Sequence, residues 1–158
     1  MTPTSEGFPA VVPIRPISTP PRPDAAGASA VDAALDEMML VDGAVACALL
    51  DVDAGLLLGI RDDDVDFDVA RAAHGYARVL SAQLSAMARL NLDEQVDDVV
   101  VTLDHQHHLV RPLRATGQLM LYLVVDRDRT NLGMARYRMA AYDRGLLTRR
   151  ESGPPPTA

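Results

Sequence analysis

The chain has 158 residues, 48% of them hydrophobic, with 15 Arg, no Lys and a formal net charge of −7. With one cysteine, Cys47, it can form neither an intramolecular disulfide nor a Cys-rich zinc site, and no window reaches the roughly 18 apolar residues of a membrane span. Because an acidic chain repels a phosphate backbone, nucleic acid is not expected as its main partner. No basic start precedes an apolar stretch, so we expect no secretory signal and a cytoplasmic protein.

The prolines divide the chain into a middle and two ends. Seven of the 11 lie in 3–23 and three in 154–156. This distribution predicts a disordered Pro-rich leader over 1–27 and a disordered tail over 148–158, around one domain at 28–147. That domain holds 19 acidic residues against 11 Arg, a net charge of −8.

The first predicted element is a helix. Ser29 has a side chain that can cap a helix start, and Asp32 stands at the reciprocal position three residues on. Apolar residues then recur on one helical face until Asp42-Gly43 ends the pattern. These residues are Val31, Leu35, Met38 and Met39.

A β-hairpin is predicted next. Ala44–Asp51 is apolar at both alternating sets of positions, as in a strand covered on both faces, and Cys47 lies within it as a buried small hydrophobe. Gly55 suits the positive φ of a tight turn, and 56–60 returns as the second strand. The segment 61–64 is then predicted to be a polar loop.

The longest periodic segment, 66–91, predicts a helix capped by Asp66. One apolar stripe suits docking on a sheet: Val69, Ala73, Tyr76, Leu80, Leu84 and Met87. A second stripe consists mostly of small residues: Ala72, Gly75, Val79, Ala82 and Ala86. Small residues let another helix approach closely, and a monomer of this size has no spare helix. We therefore predict a symmetric helix–helix dimer contact.

Three strands and a helix complete the pattern. Strands are predicted at 96–104 and 107–113, where Pro112 marks a strand end or a sheet edge. The segment 118–125 is the most apolar strand and should be central. A last helix follows, with Gly145 close to its end. The order α-β-β-α-β-β-β-α predicts an α+β domain with one five-stranded antiparallel sheet and helices on its faces.

Two clusters could carry metal chemistry, and neither has a suitable pattern. The run 105–108 contains three His, but alternate strand residues point to opposite faces, so at most two would share a side. Polar residues at a hairpin turn are the favoured interpretation. The acidic run 62–68 lacks the internal Gly and closing Glu of a calcium loop and is interpreted as a solvated loop. No motif of a nucleophile, phosphate loop or dinucleotide site occurs, so we predict no enzyme, cofactor or metal.

Several stretches resemble the roadblock (dynein light chain) family. They are LDEMM at 35–39 followed by DGAVACALLD at 42–51, VVVTL at 99–103 through HLVRPL at 108–113, and LYLVVDR at 121–127 followed by TNLGMAR at 130–136. Their order and spacing together carry the resemblance, which covers about 31–146 and is closest to bacterial, actinobacterial-type members.

The resemblance implies a roadblock/longin-like α/β/α sandwich, with helix 66–91 on one face of the sheet and two helices on the other. Family members dimerise through the third strand and the long helix. Carried onto this chain, that interface comprises Ala72, Gly75, Val79, Ala82, Ala86, Val99 and Val101.

Relatives bind Ras-like small GTPases and stimulate or scaffold them; one is a gliding-polarity regulator thought to act without an arginine finger. The expected function is therefore a non-catalytic homodimeric regulator of a Ras-like small GTPase. An adaptor in a sensor-kinase complex, without effect on GTP turnover, is the alternative. Candidate partner-binding residues are Arg71, His74, Arg78 and Arg89, although solvated helix faces would look the same.

Overall fold

The computed structural model describes residues 25–64 and 66–151. Three helices and five strands follow in the predicted order. Their bounds are α1 (Ala25–Met39), β1 (Ala44–Asp51), β2 (Leu56–Asp62), α2 (Val69–Arg89), β3 (Val99–Thr102), β4 (Gln106–Pro112), β5 (Leu119–Asp126) and α3 (Leu132–Glu151). Most of the predicted leader and tail lies outside the described residues.

The five strands form one antiparallel sheet in the order β2-β1-β5-β4-β3. Strand β5 is central, as its apolar sequence predicts, and its residues 120–125 are buried. The β1–β2 hairpin turns at Gly55 with φ of 64°, also as predicted. Pro112 ends β4, which lies between β5 and β3. It therefore marks a strand end and not a sheet edge.

Helices cover both faces of the sheet, which confirms the predicted sandwich. Successive strand residues point to opposite faces, so each central strand supplies two cores. Cys47 and Leu49 of β1 pack with α1 and α3, whereas Ala46, Ala48 and Leu50 pack with α2. Helix α2 thus has one face of the sheet to itself.

Cys47 is fully buried, as the apolar run around it predicts. Its Sγ lies 3.5 Å from the carbonyl oxygen of Leu35 in α1. Burial raises the pKa of the thiol to about 12, and the lowering effect of the nearby Arg61 charge is smaller. The thiol is therefore protonated at neutral pH and serves as a packing group.

The start of α1 differs from the prediction. The helix already begins at Ala25, so Ser29 lies inside it and does not cap it. Asp32, assigned to the reciprocal capping position, instead accepts a hydrogen bond of 2.8 Å from Arg61, and Asp36 accepts one of 2.9 Å from the same guanidinium. The sequence pattern predicts Arg61 in a loop, but it belongs to β2 and ties that edge strand to α1.

Other boundaries differ from the prediction for local reasons. Asp68, not Asp66, caps α2, because its side chain accepts the backbone N–H of Arg71 at 2.9 Å. Strand β3 is shorter than the predicted 96–104. Helix α3 continues beyond Gly145 to Glu151, into the segment predicted as tail. No helix in the described part of the chain is long and apolar enough to cross a membrane.

Candidate interaction surface

Three aromatic rings pack together where α2 meets the sheet. The Tyr76 ring of α2 stacks on Tyr122 of β5, with centroids 5.1 Å apart, and tilts against His108 of β4 at the same distance. His108 Nδ1 lies 2.7 Å from the Tyr122 hydroxyl, and its Nε2 lies 3.1 Å from Gln106 Oε1. An amide oxygen only accepts, so Nε2 donates to Gln106 and Nδ1 accepts from Tyr122.

Burial keeps this cluster uncharged. It lowers the pKa of His108 and raises the pKa of Tyr76 and of Tyr122. The interpretation of the histidines as polar residues at a hairpin turn is wrong for His107 and His108, because both are buried side chains of β4. His107 Nδ1 lies 3.0 Å from Thr102 Oγ1.

The histidine run and the acidic run do not come together as a cluster of metal-ligating side chains in the described residues. Across residues 25–64 and 66–151, no group of three or more His, Cys, Asp or Glu side chains is arranged to hold a metal ion. The run 105–108 is divided instead between the two sheet faces and the exposed His105.

The sheet-facing side of α2 is shorter than predicted. Its buried residues are Val69, Ala73, Ala77 and Leu80. Leu84, predicted to face the sheet, is 45% exposed. Every side chain from Ser81 to Arg89 except Met87 is likewise exposed, so the sheet contact of α2 ends at Leu80. Ala77 belongs to neither predicted stripe. Its spacing of four residues from Ala73 and three from Leu80 places it on the same helical face as these two, and this spacing could have predicted its burial.

The small-residue stripe faces outward. Gly75, Val79, Ala82 and Ala86 are exposed and fall within an arc of about 60° on the helix. Ala72, the fifth predicted member, is half-buried against the α2-side core. A Cβ built on Gly75 would meet nothing within 4 Å. Within the described part of the chain, nothing covers this face of α2.

Strand β3 provides a free sheet edge beside the α2 layer. Val99 and Val101 are half-buried and lie opposite Val110 and His108 of β4, so they point to the α2 side of the sheet. Among the described strands, only β4 pairs with β3. The N–H and C=O groups of its outer edge are therefore available to another strand. The structure thus places the predicted interface residues of α2 and β3 on one side of the sheet.

The candidate partner-binding residues separate into two groups. Arg71, Arg78 and Arg89 are exposed, lie on one flank of the small-residue stripe and form no ion pair within the described residues. His74 is different, because its ring nitrogens lie 2.7 Å from the Ala70 carbonyl oxygen and 3.1 Å from that of Gly55. It therefore links α2 to the β1–β2 turn.

A five-stranded antiparallel sheet between one helix and a helix pair, in this chain order, defines a roadblock-type α+β domain. Solved structures agree, and the chain has the roadblock fold. A roadblock/LC7 domain from Streptomyces avermitilis is 21% identical with a TM-score of 0.63, covering 77% of this chain and 98% of that one.

Two gliding proteins have the same fold. Myxococcus xanthus MglB is 18% identical with a TM-score of 0.67, covering 83% of this chain and 95% of its own. The gliding protein MglB of Thermus thermophilus is 19% identical with a TM-score of 0.67, covering 82% of this chain and 94% of its own. No protein-family model and no curated protein matches the sequence.

Proposed function

We propose that two copies of this chain form a homodimer through α2 and β3. The uncovered stripe of small residues suits a close helix–helix approach, and the free edge of β3 suits pairing with a second β3. In a dimer with a two-fold axis, both copies use the same surface patch, so the patch has to be complementary to itself. The dimer would bury Gly75, Val79, Ala82 and Ala86 and join the two sheets into one.

The dimer is proposed to act as a non-catalytic regulator of a Ras-like small GTPase in the cytoplasm. The supporting observation is the row of Arg71, Arg78 and Arg89, whose guanidiniums form no ion pair with any residue that the structure describes. This row borders the dimer stripe of a chain with the fold of the MglB gliding proteins. In an otherwise acidic domain, this row is suited to bidentate contacts with carboxylates of a partner. No arginine is assigned a role in the transfer chemistry.

Nucleotide-dependent binding tests this function. The Ras-like small GTPases encoded in the same genome are loaded with GDP or with a non-hydrolysable GTP analogue and offered to the immobilised full chain. We expect one of them to bind in one nucleotide state and to change its GTP hydrolysis rate in the presence of the chain. Arg78→Glu with Arg89→Glu should abolish this binding, whereas Arg138→Glu on α3 should leave it intact.

If no such GTPase binds in a nucleotide-dependent way, the proposal is wrong. Binding that is equal in both nucleotide states, with no change in turnover, would favour an adaptor that joins a sensor-kinase-like protein to other partners. One observation fits that second function. Leu40 is 76% exposed and Met134 53% exposed beside one cleft on the α1–α3 face, away from α2. An adaptor needs such a second surface.

A further inference from the structure

Arg111 and Asp143 are buried charged residues that play no part in the α2 surface. Both line a cleft of about 410 Å³ between α3 and the β3–β4 end of the sheet, on the face opposite α2. Asp97 and Asp98, which precede β3, form one wall, and α3 forms the other. The volume falls in the range of small-molecule sites.

The Arg111 guanidinium has too few hydrogen bonds for its burial. The side chain is 8% exposed, its Nη1 lies 3.5 Å from Asp98 Oδ2, and its Nε lies 3.6 Å from Asp143 Oδ2. Charge-assisted N–H···O bonds normally measure about 2.7–2.9 Å. The Nε makes no hydrogen bond within the described part of the chain. The Nε–H of this buried guanidinium therefore retains capacity to donate.

The carboxylates of the cleft already have other partners. Asp143 Oδ1 accepts the backbone N–H of Arg114 at 2.9 Å. Asp98 accepts from Arg136 Nε at 3.1 Å and Nη2 at 3.0 Å, and Asp97 pairs with the Arg114 guanidinium. Asp97 and Asp98 thus pair with guanidiniums other than Arg111. The ion-pair partner of Asp143 among the described residues is Arg111 itself.

In the part of the chain that the structure describes, a further guanidinium has no carboxylate partner. Arg144 lies 5.7 Å over the Tyr137 ring at the cleft and forms no ion pair within residues 25–64 and 66–151. The cleft is therefore lined by four arginines against three aspartates, in a domain whose net charge is −8. Arg111 and Arg136 both pair with the Asp98 carboxylate, which holds their two guanidiniums close together.

We propose that this cleft is an anion site for a phosphoryl group, with Arg111 at its base and Arg136 and Arg144 at its rim. A planar carboxylate is satisfied by one guanidinium fork, whereas the oxygens of a phosphoryl group can accept from several guanidiniums at once. The phosphoryl group belongs to inorganic phosphate or to a small phosphorylated molecule. The acidity of the domain disfavours a nucleic acid backbone.

The test is an NMR titration of the full ¹⁵N-labelled chain, observing arginine Nε–Hε signals at constant ionic strength. The probes are inorganic phosphate, O-phosphoserine and acetate, each against a chloride background. Phosphate or O-phosphoserine should give saturable shifts at Arg111 and Arg136. Tighter binding of O-phosphoserine identifies a phosphorylated molecule as the source, and equal binding identifies free phosphate.

Exposed arginines supply the variants, because replacing buried Arg111 could unfold the chain. Arg136→Gln and Arg144→Gln should each weaken phosphate binding about tenfold, as the loss of a charged hydrogen bond does. Arg138→Gln lies on the same helix outside the cleft and should bind like the wild type. Absence of a saturable shift, equal binding of acetate, or equal weakening by Arg138→Gln would overturn the proposal.

Discussion

At the residue scale, His108 is the side chain whose protonation the fold opposes most clearly. It is 4% exposed, it contacts Tyr76, Tyr122 and Phe67, and its Nδ1 accepts from the Tyr122 hydroxyl. Protonation would remove that acceptor and place a charge among aromatic rings. Burial accordingly lowers its pKa below the ordinary value of 6.5. Among these direct contacts, the described residues include no charged group.

This shift predicts a pH dependence of stability. In the unfolded chain His108 binds a proton as the pH falls below about 6.5, whereas in the folded chain it does so only at lower pH. Its contribution to the free energy of unfolding is full above that value and is lost as the pH falls through the folded-state pKa. We therefore expect the free energy of urea unfolding to decrease as the pH is lowered from 7.5 to 5.5, a window of about one unit on either side of the ordinary pKa. The decrease should be smaller in His108→Gln.

Exposed His105 provides the matched control for this experiment. His105→Gln should keep the wild-type slope of stability against pH. If His108→Gln also keeps the wild-type slope, the protonation of His108 is not coupled to folding and our interpretation of the aromatic cluster is incorrect.

At the element scale, the contact of α1 with β2 depends on Gly59. A Cβ at this position would lie 2.8 Å from Leu35 Cδ1 and 2.9 Å from Val31 Cγ1. Gly59→Val should force α1 away from the sheet and lower the free energy of unfolding by about 1–3 kcal/mol, as overpacking does. Thermal and urea unfolding measure this loss.

Gly145 of α3 is the control position, since a Cβ there would meet nothing within 4 Å. Gly145→Ala should be neutral or stabilise the chain by up to about 1 kcal/mol, because alanine favours the helical conformation. A Gly59→Val variant as stable as the wild type would show that α1 does not pack as closely as described.

The element types were predictable because hydrophobic periodicity reports burial directly. The inner positions of β1 and β5 are apolar without alternation and are indeed buried on both faces. The residues at which helices begin and end were less predictable. Asp66 and Asp68 are equally good capping residues in sequence, and only the path of the chain into α2 decides between them. Leu84 matches the sheet-facing period, but periodicity does not indicate where the underlying sheet stops.

The candidate sites differ in how far the sequence could reveal them. The small-residue stripe of α2 is a local pattern, and its exposed members could be predicted from spacing. The Asp98–Arg111–Asp143 cluster joins three positions far apart in the chain. No local period connects them. The pairing of β3 with β4 brings Asp98 beside Arg111, and the packing of α3 beside β4 adds Asp143. Sequence reasoning therefore missed the cleft.

At the scale of the whole molecule, the proposed function depends on a second copy of the chain. Without it, α2 would leave Val79 42% and Leu84 45% exposed to solvent, beside an unpaired sheet edge. A dimer would cover the small-residue stripe and place two rows of arginines near one another. The GTPase surface proposed above is therefore a property of the dimer and not of one chain.

Sedimentation equilibrium tests the proposed homodimer most directly. The wild-type chain should have about twice its monomer mass of 17.0 kDa. Gly75→Arg combined with Ala82→Arg should have the monomer mass with unchanged circular dichroism, because an unpaired charge buried at a helix contact costs several kcal/mol. Ser85→Arg, on the polar side of the same helix, should remain dimeric. A monomeric wild type, or a double variant that still has the dimer mass, would contradict this account.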